Sequence, residues 1–259
     1  PLNLRELWRF RELLYFLTWR DIKIRYKQSV LGAAWAIIQP LATMVVFTLV
    51  LGRAVGADDS RPYSYSLFVL AGLIPWTFFG NSLLMAGQSI VANQNLVTKV
   101  YFPRLIIPVA SVGAILVDFA ISFLVLGVMM AFQGVWPGVE LLWLPLILLL
   151  LILTAIGIGT LLSALTVAYR DFRFIVPFMV QLWMFATPSI YLSADKVEHL
   201  KTWLPLNPVY GLITNFRQAL LGGPMDFYSL AVSGGVGLFL LLLGCLYFRR
   251  VERSFADII

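Results

Sequence analysis

The chain is predicted to be an all-α integral membrane protein, and three features of the sequence carry that prediction. Six apolar runs, at about 31–52, 67–91, 107–132, 143–167, 174–192 and 228–248, are each roughly 20 residues or longer, the length that ~30 Å of hydrocarbon requires of a helix. Hydrophobic residues make up 60% of the chain and charged residues only 12%, against roughly 25% charged in a soluble domain. The runs are continuous, whereas an outer-membrane barrel needs alternating segments of ~10 residues. No internal repeat or linker divides residues 1–259, so a single membrane domain is expected.

Residues 2–28 are too charged to span. Leu4, Leu7, Trp8, Phe10, Leu14, Tyr15 and Leu17 recur at helical spacing with Arg5, Arg9 and Glu12 opposite them, which predicts an amphipathic helix in the interface plane. Such a helix serves as an anchor or as a lever between a partner and the spans. No cleavable signal pattern is visible, and Pro1 in place of an initiating methionine suggests a trimmed start. At RYKQSVLGAAWAIIQP, residues 25–40, the charges stop and the first span begins. Pro40 removes one backbone hydrogen bond from that span, so a kink buried against a neighbouring helix is expected there.

The second span mixes Pro75, Asn81, Ser82, Gly87 and Gln88 with Trp76, Phe78 and Phe79, a composition suited to protein or a pathway and not to lipid. In the loop after it, Asn95 is expected to cap a short helix through Leu96, Val97, Val100 and Tyr101, flanked by Lys99 and Arg104 and ending before Pro103. The third span contains Asp118, a charge well inside a run. It costs roughly 2.5–3.5 kcal/mol at a helix centre, which the apolar residues around it offset at about 0.3–0.6 each. It must face protein or water, as a buried structural group or an ion site.

In the fourth span Ala155, Gly159 and Ser163 form a small-residue face for close packing. Gly157-Ile158-Gly159 lacks the strand and the third glycine of a dinucleotide fingerprint. The fifth span carries Pro177 and Pro188 with Gln181, Trp183, Phe185 and Tyr191. Residues 193–227 contain apolar stretches too short to span, which predicts re-entrant or interfacial helices before the last span.

Charge sets the orientation. Placing both termini and the loops 92–106 and 168–173 in the cytoplasm assigns 14 of the 19 basic residues to that side, as the positive-inside rule favours. The net charge of +6 therefore reflects anchoring at anionic lipid, and nucleic acid is excluded as a partner. The chain has no GxxxxGK[ST] phosphate loop, and its one histidine, His199, lies in ADKVEHLK without metal partners nearby. Its one cysteine, Cys245, lies in an apolar run, so no internal disulfide or catalytic set is predicted and no cofactor is expected in this chain.

RYKQSVLGAAWAIIQP at the first span, YRDFRFIVPF and TPSIY around the fifth, and LNPVYGLITNFRQALLGG before the last resemble the membrane subunits of ABC-2 type polysaccharide exporters, which export O-antigen, capsule or teichoic acid. The resemblance implies a homodimer with two copies of a separate ATPase that uses ATP and Mg, moving a lipid-linked glycan across a bacterial or archaeal plasma membrane. It also implies that the N-terminal helix and the loop 92–106 meet the ATPase and that aromatic side chains line the path. Trp35, Trp76, Phe78, Phe79, Trp183, Phe185 and Tyr191 are the candidates for that lining. The alternatives are an ABC-2 drug or small-lipid exporter and, from another class, an ion-coupled secondary transporter using Asp118.

Overall fold

The structure is a computed structural model that describes residues 8–27, 34–54, 63–190, 202–252 and 255. Among these residues the chain forms nine α-helices and no strand. They are α1 (Arg11–Lys27), α2 (Ala34–Ala54), α3 (Tyr65–Ala92), α4 (Gln94–Lys99), α5 (Ile106–Phe132), α6 (Leu144–Ala168), α7 (Phe172–Phe185), α8 (Tyr210–Leu221) and α9 (Phe227–Val251). Five of them, α2, α3, α5, α6 and α9, are long and apolar enough to cross a membrane. The fifth predicted span is the shorter α7, about 21 Å at 1.5 Å per residue over its 14 residues. It stops because Thr187 precedes Pro188, a position where helical backbone is disfavoured, and the chain continues as a 3-10 turn through Pro188–Ile190. Together the five long helices and α7 make up the six-segment bundle that the apolar runs predict.

The centre of the bundle is α3, whose most hydrophobic stretch is 83% buried against only 11% for α2. It packs on α2, α5, α6, α7 and α8. This accounts for its polar and aromatic composition, since a helix enclosed by protein has no lipid face to keep purely apolar. Glycines decide how closely the neighbours approach. A Cβ on Gly159 of α6 would lie 2.7 Å from the Ala86 Cβ of α3, and one on Gly157 would lie 2.4 Å from the Leu241 Cα of α9. Ala155, Gly159 and Ser163 are all buried, so the small-residue face is used, and Gly157 adds a second close contact towards α9.

The two ends of the bundle differ. At one end Leu17 of α1, Ile90, Val97, Phe102, Val167, Phe248 and Phe255 share one apolar cluster, which brings the N-terminal helix, α4, the α6–α7 turn and the end of α9 together. At the other end the Ser64 N–H and Oγ donate to Gln133 Oε1 at 3.1 and 2.9 Å, joining the start of α3 to the end of α5. This packing places α1 and the end of α9 at the same end of the bundle.

One local expectation changes and another gains detail. Tyr15 points outward, 70% exposed, with Trp8, Phe16 and Trp19, while Phe10, Leu13, Leu14 and Leu17 form the face of α1 that packs on the bundle. The short helix expected before the last span is α8, which protein buries at every residue except the half-buried Gln218, while Trp203, Leu206, Phe227 and Tyr228 on either side of it are exposed. Its backbone ends find internal partners, with Asn215 and the Asp226 backbone exchanging hydrogen bonds of 3.0 and 2.9 Å and Asp226 capping α9 at the Ser229 N–H. Asn207 accepts from Trp183 Nε1 at 3.1 Å and donates to Thr187 Oγ1 at 2.9 Å, tying this segment to the end of α7. The polar residues of LNPVYGLITNFRQALLGG are thus the hydrogen-bond partners that irregular chain needs at membrane depth. Residues 191–201, with Tyr191, Lys196 and His199, lie outside the described residues, as does Asp58.

Gly157→Val should lower stability by about 1–3 kcal/mol, because α9 backbone must shift to admit it. Gly127→Ala in α5, where an added Cβ meets nothing within 4 Å, should be neutral or stabilising by about 0.5–1 kcal/mol. Thermal unfolding of both variants in one detergent tests this; equal effects would show that the α6–α9 approach is not tight.

Candidate functional site

The site begins with the kink at Pro40. A proline at 40 leaves the carbonyl of Ala36 without its helical partner, and Ser122 of α5 donates its hydroxyl to that oxygen at 2.9 Å. Pro40 is itself buried, so the kink sits against protein as expected. Asp118 lies four residues before Ser122 on the same face of α5. Arg25, from the last turn of α1, pairs with it through Nη2 and Oδ2 at 2.8 Å. Tyr26 donates its phenol hydroxyl to Oδ1. Burial first, and then the bond to Asp118, push the Tyr26 phenol well above its ordinary pKa, so it remains a donor.

Asp118 is therefore not a lone carboxylate. Its partners come from the N-terminal segment, 92 and 93 positions earlier, beyond the reach of any local pattern. Both of its oxygens are engaged, which makes it a point of attachment for α1. The contact is prepared by packing: Leu17 is buried, and Gly113 of α5 leaves room for Thr18, whose side chain an added Cβ would meet at 3.3 Å.

Around these groups is a cleft of about 170 Å³ between α1, α2, α3 and α5. The Arg25–Asp118 pair, Trp35, Gln39, Phe78 and Asn81 line it. Trp35 is 53% exposed on α2, and Phe78 is buried edge-on to Phe119 at 5.5 Å.

The aromatic candidates do not form one surface. Trp76, Phe78 and Phe79 are at most 4% exposed, and Phe79 meets Trp183 edge-on at 5.3 Å. These rings face α5, α7 and each other, so as placed in this chain Trp76 and Phe79 present nothing to a passing polymer and act as core. Trp183 is half-buried and its indole is bonded to Asn207, whereas Phe185 is 57% exposed. Of the set, Trp35 and Phe185 are well exposed; Tyr191 lies outside the described residues.

A second candidate surface lies at the end that holds α1. Here α4 starts at Gln94 after an Asn93 cap, not at Asn95, because the Asn93 side chain donates back to the Ser89 carbonyl at 2.8 Å and closes α3. It ends at Lys99, where the backbone turns extended at Val100, so Val100 and Tyr101 fall beyond it, 53% and 93% exposed. Val97 and the partly buried Leu96 pack inward. Arg104 donates to the Glu252 carbonyl, and with Val100, Tyr101 and Arg249 it borders a groove of about 390 Å³. On the other flank Gln94, Arg170, Arg173 and Phe174 border one of about 370 Å³. The sequence reading did not include these two arginines in this surface, since only the fold sets the α6–α7 turn beside α4.

A profile of the ABC-2 type transporter family matches residues 12–221. The chain is similar to an O-antigen export system permease protein RfbA of Myxococcus xanthus, 30% identical over 98% of this chain and 97% of the relative. A protein of the same name from Klebsiella pneumoniae is 27% identical, covering 96% and 95% of the two chains. A polysialic acid transport protein KpsM of Escherichia coli is 23% identical over 91% and 92%.

Arg25→Ala should destabilise the protein towards the low end of the about 3–5 kcal/mol seen when a buried pair loses one partner, since the Arg25 side chain is 32% exposed. Arg25→Met with Asp118→Leu should recover part of that loss. A double-mutant cycle by thermal unfolding measures the coupling; additive effects would mean that the pair does not hold α1 in place.

Proposed function

This chain belongs to the ABC-2 type transporter family, and from that premise we propose that it is the membrane subunit of an ATP-driven exporter of a lipid-linked polysaccharide. The observation that carries the proposal is the similarity along almost the whole chain to permeases named for O-antigen export, 30% identical in one case. The chain supplies the membrane path. A separate ABC ATPase, in two copies on a homodimer of this subunit, supplies hydrolysis with ATP and Mg. The location proposed is the plasma membrane of a bacterium or archaeon, with the end holding α1, α4 and the α9 terminus in the cytoplasm.

The geometry supports a division of labour. The two grooves flanking α4 carry Arg104, Arg170, Arg173 and Arg249 beside the exposed Val100, Tyr101 and Phe174, a mixed basic and apolar face suited to a soluble partner. Force applied at α4 passes to α3, which it follows after one residue, and at the same end α1 is fastened to α5. Trp35 and Phe185 are the aromatic groups best placed to meet substrate. A glycan presents C–H faces to such rings without demanding a fixed hydroxyl pattern, which suits a polymer that must slide.

Deleting the gene in its source cell should remove the surface polymer and leave it inside, and restoring the chain should bring it back. Surface polymer that persists without the chain would refute the proposal. In complemented cells, Val100→Asp with Tyr101→Asp should detach the ATPase and abolish export at normal abundance, because both side chains are exposed. Val97→Asp should instead reduce abundance, being buried. ATPase that still co-purifies with the first variant in wild-type amounts would refute α4 as the docking element.

Orientation is tested in a Cys245→Ser background. A cysteine at Glu140 should react with an impermeant thiol reagent in intact cells and one at Lys99 should not. Labelling at 99 would reverse the topology.

A further inference from the structure

We infer that the cleft beside the Arg25–Asp118 pair binds an uncharged sugar residue of the polymer, an assignment that deepens the export proposal and rests on it. An amide side chain that lines an open cleft and has no protein partner is available to bond what enters the cleft. Half-buried Asn81 on α3 and exposed Gln39 on α2 both line this cleft, and no hydrogen bond among the described residues engages either side chain, so both amides are left for a ligand. Each amide offers one acceptor and two N–H donors, which matches hydroxyl groups that both donate and accept.

The rest of the lining fits the same ligand. The exposed Trp35 indole stands at the rim as a stacking surface, with Phe78 and Phe119 below it. The charges cancel: Arg25 is committed to Asp118 at 2.8 Å, so an anionic group would have to compete with a carboxylate already in place. That favours a neutral sugar over a phosphate headgroup. The volume, about 170 Å³, is below the 300–1,000 Å³ usual for a drug-sized ligand, so the cleft suits one residue of a chain at a time. It lies beside the contact that fastens α1, where a polymer would be handed from the proposed cytoplasmic end into the bundle.

The test uses Thr77→Cys, at a position that lines the cleft but is not assigned to the sugar, in a Cys245→Ser background, within the full transporter in living cells. Alkylation by N-ethylmaleimide is timed in cells that make the polymer and in cells lacking the first sugar transferase of its synthesis. Occupancy of the cleft for much of the cycle should slow the reaction about threefold in polymer-making cells. Trp136→Cys, in the loop at the other end, should react equally in both. If Thr77→Cys fails to accumulate, Ala36→Cys, which also lines the cleft, takes its place.

Equal rates at the reporter in the two cells would overturn the inference. So would a rate that is slow in both and rises only when the dimer is dissociated, which would give the cleft to a second copy of the chain. Protection in isolated membranes by inorganic pyrophosphate would give it instead to a phosphate headgroup. Export that depends on the chain while the reporter shows no difference would sink the cleft assignment and leave the export proposal standing.

Discussion

The contact on which this architecture depends joins the N-terminal helix to the middle of the bundle through one carboxylate. A charge at the depth of Asp118 is tolerated in a membrane only when it is paired, and here the pairing group is delivered by α1, a helix that does not itself cross. An interfacial helix would otherwise be held by its apolar face alone and could slide or lift. The Arg25 and Tyr26 bonds give it a fixed register against α5. Since Ser122 on the same face of α5 also takes up the carbonyl released by Pro40, one short stretch of α5 sets both the position of α1 and the bend of α2.

That arrangement links the two working surfaces. The shoulder formed by α4, Arg104 and the α6–α7 turn lies at the end of the bundle where α1 packs, and the apolar cluster there includes residues from both. In the proposed coupling, a push on α4 reaches α3, the most enclosed of the five long helices, and so everything packed on it. The glycine contacts of α6 with α3 and α9 make this unit stiff, because backbones that close leave no side chain to yield between them. By contrast α2 and α7 keep exposed apolar faces, including Val45, Leu49, Phe178 and Leu182. These are the surfaces on which a second subunit or lipid must rest.

Aromatic composition by itself did not show which rings the fold buries and which it leaves exposed. Trp76, Phe78 and Phe79 share a span with Asn81, and by type all four suit a conduit. Helical geometry separates them: Trp76 and Phe79 turn into the core, where large apolar area is most valuable, while Asn81 and the buried Phe78 border the cleft with Trp35. A half-buried amide that lines a cleft without a protein partner is the more informative sign of a ligand, because its donors and acceptor are left to bond what enters.

The chain by itself determined the class of the fold, the order of its spans, the buried kink at Pro40, the close-packing face of α6 and the enclosed character of α3. All of these rest on local properties: the length of apolar runs, the missing N–H of proline, the small size of glycine. It did not reveal that Asp118 has an arginine and a tyrosine for partners, that the short helix after α3 begins at Gln94, or that α8 is enclosed by protein. Those depend on which segments meet in space. Arg25 and Asp118 are 93 residues apart, and no period of 3.6 residues can report a meeting at that separation. Only the packing of α1 on α5 through Leu17, Thr18 and Gly113 brings the two charges together, and with them the cleft.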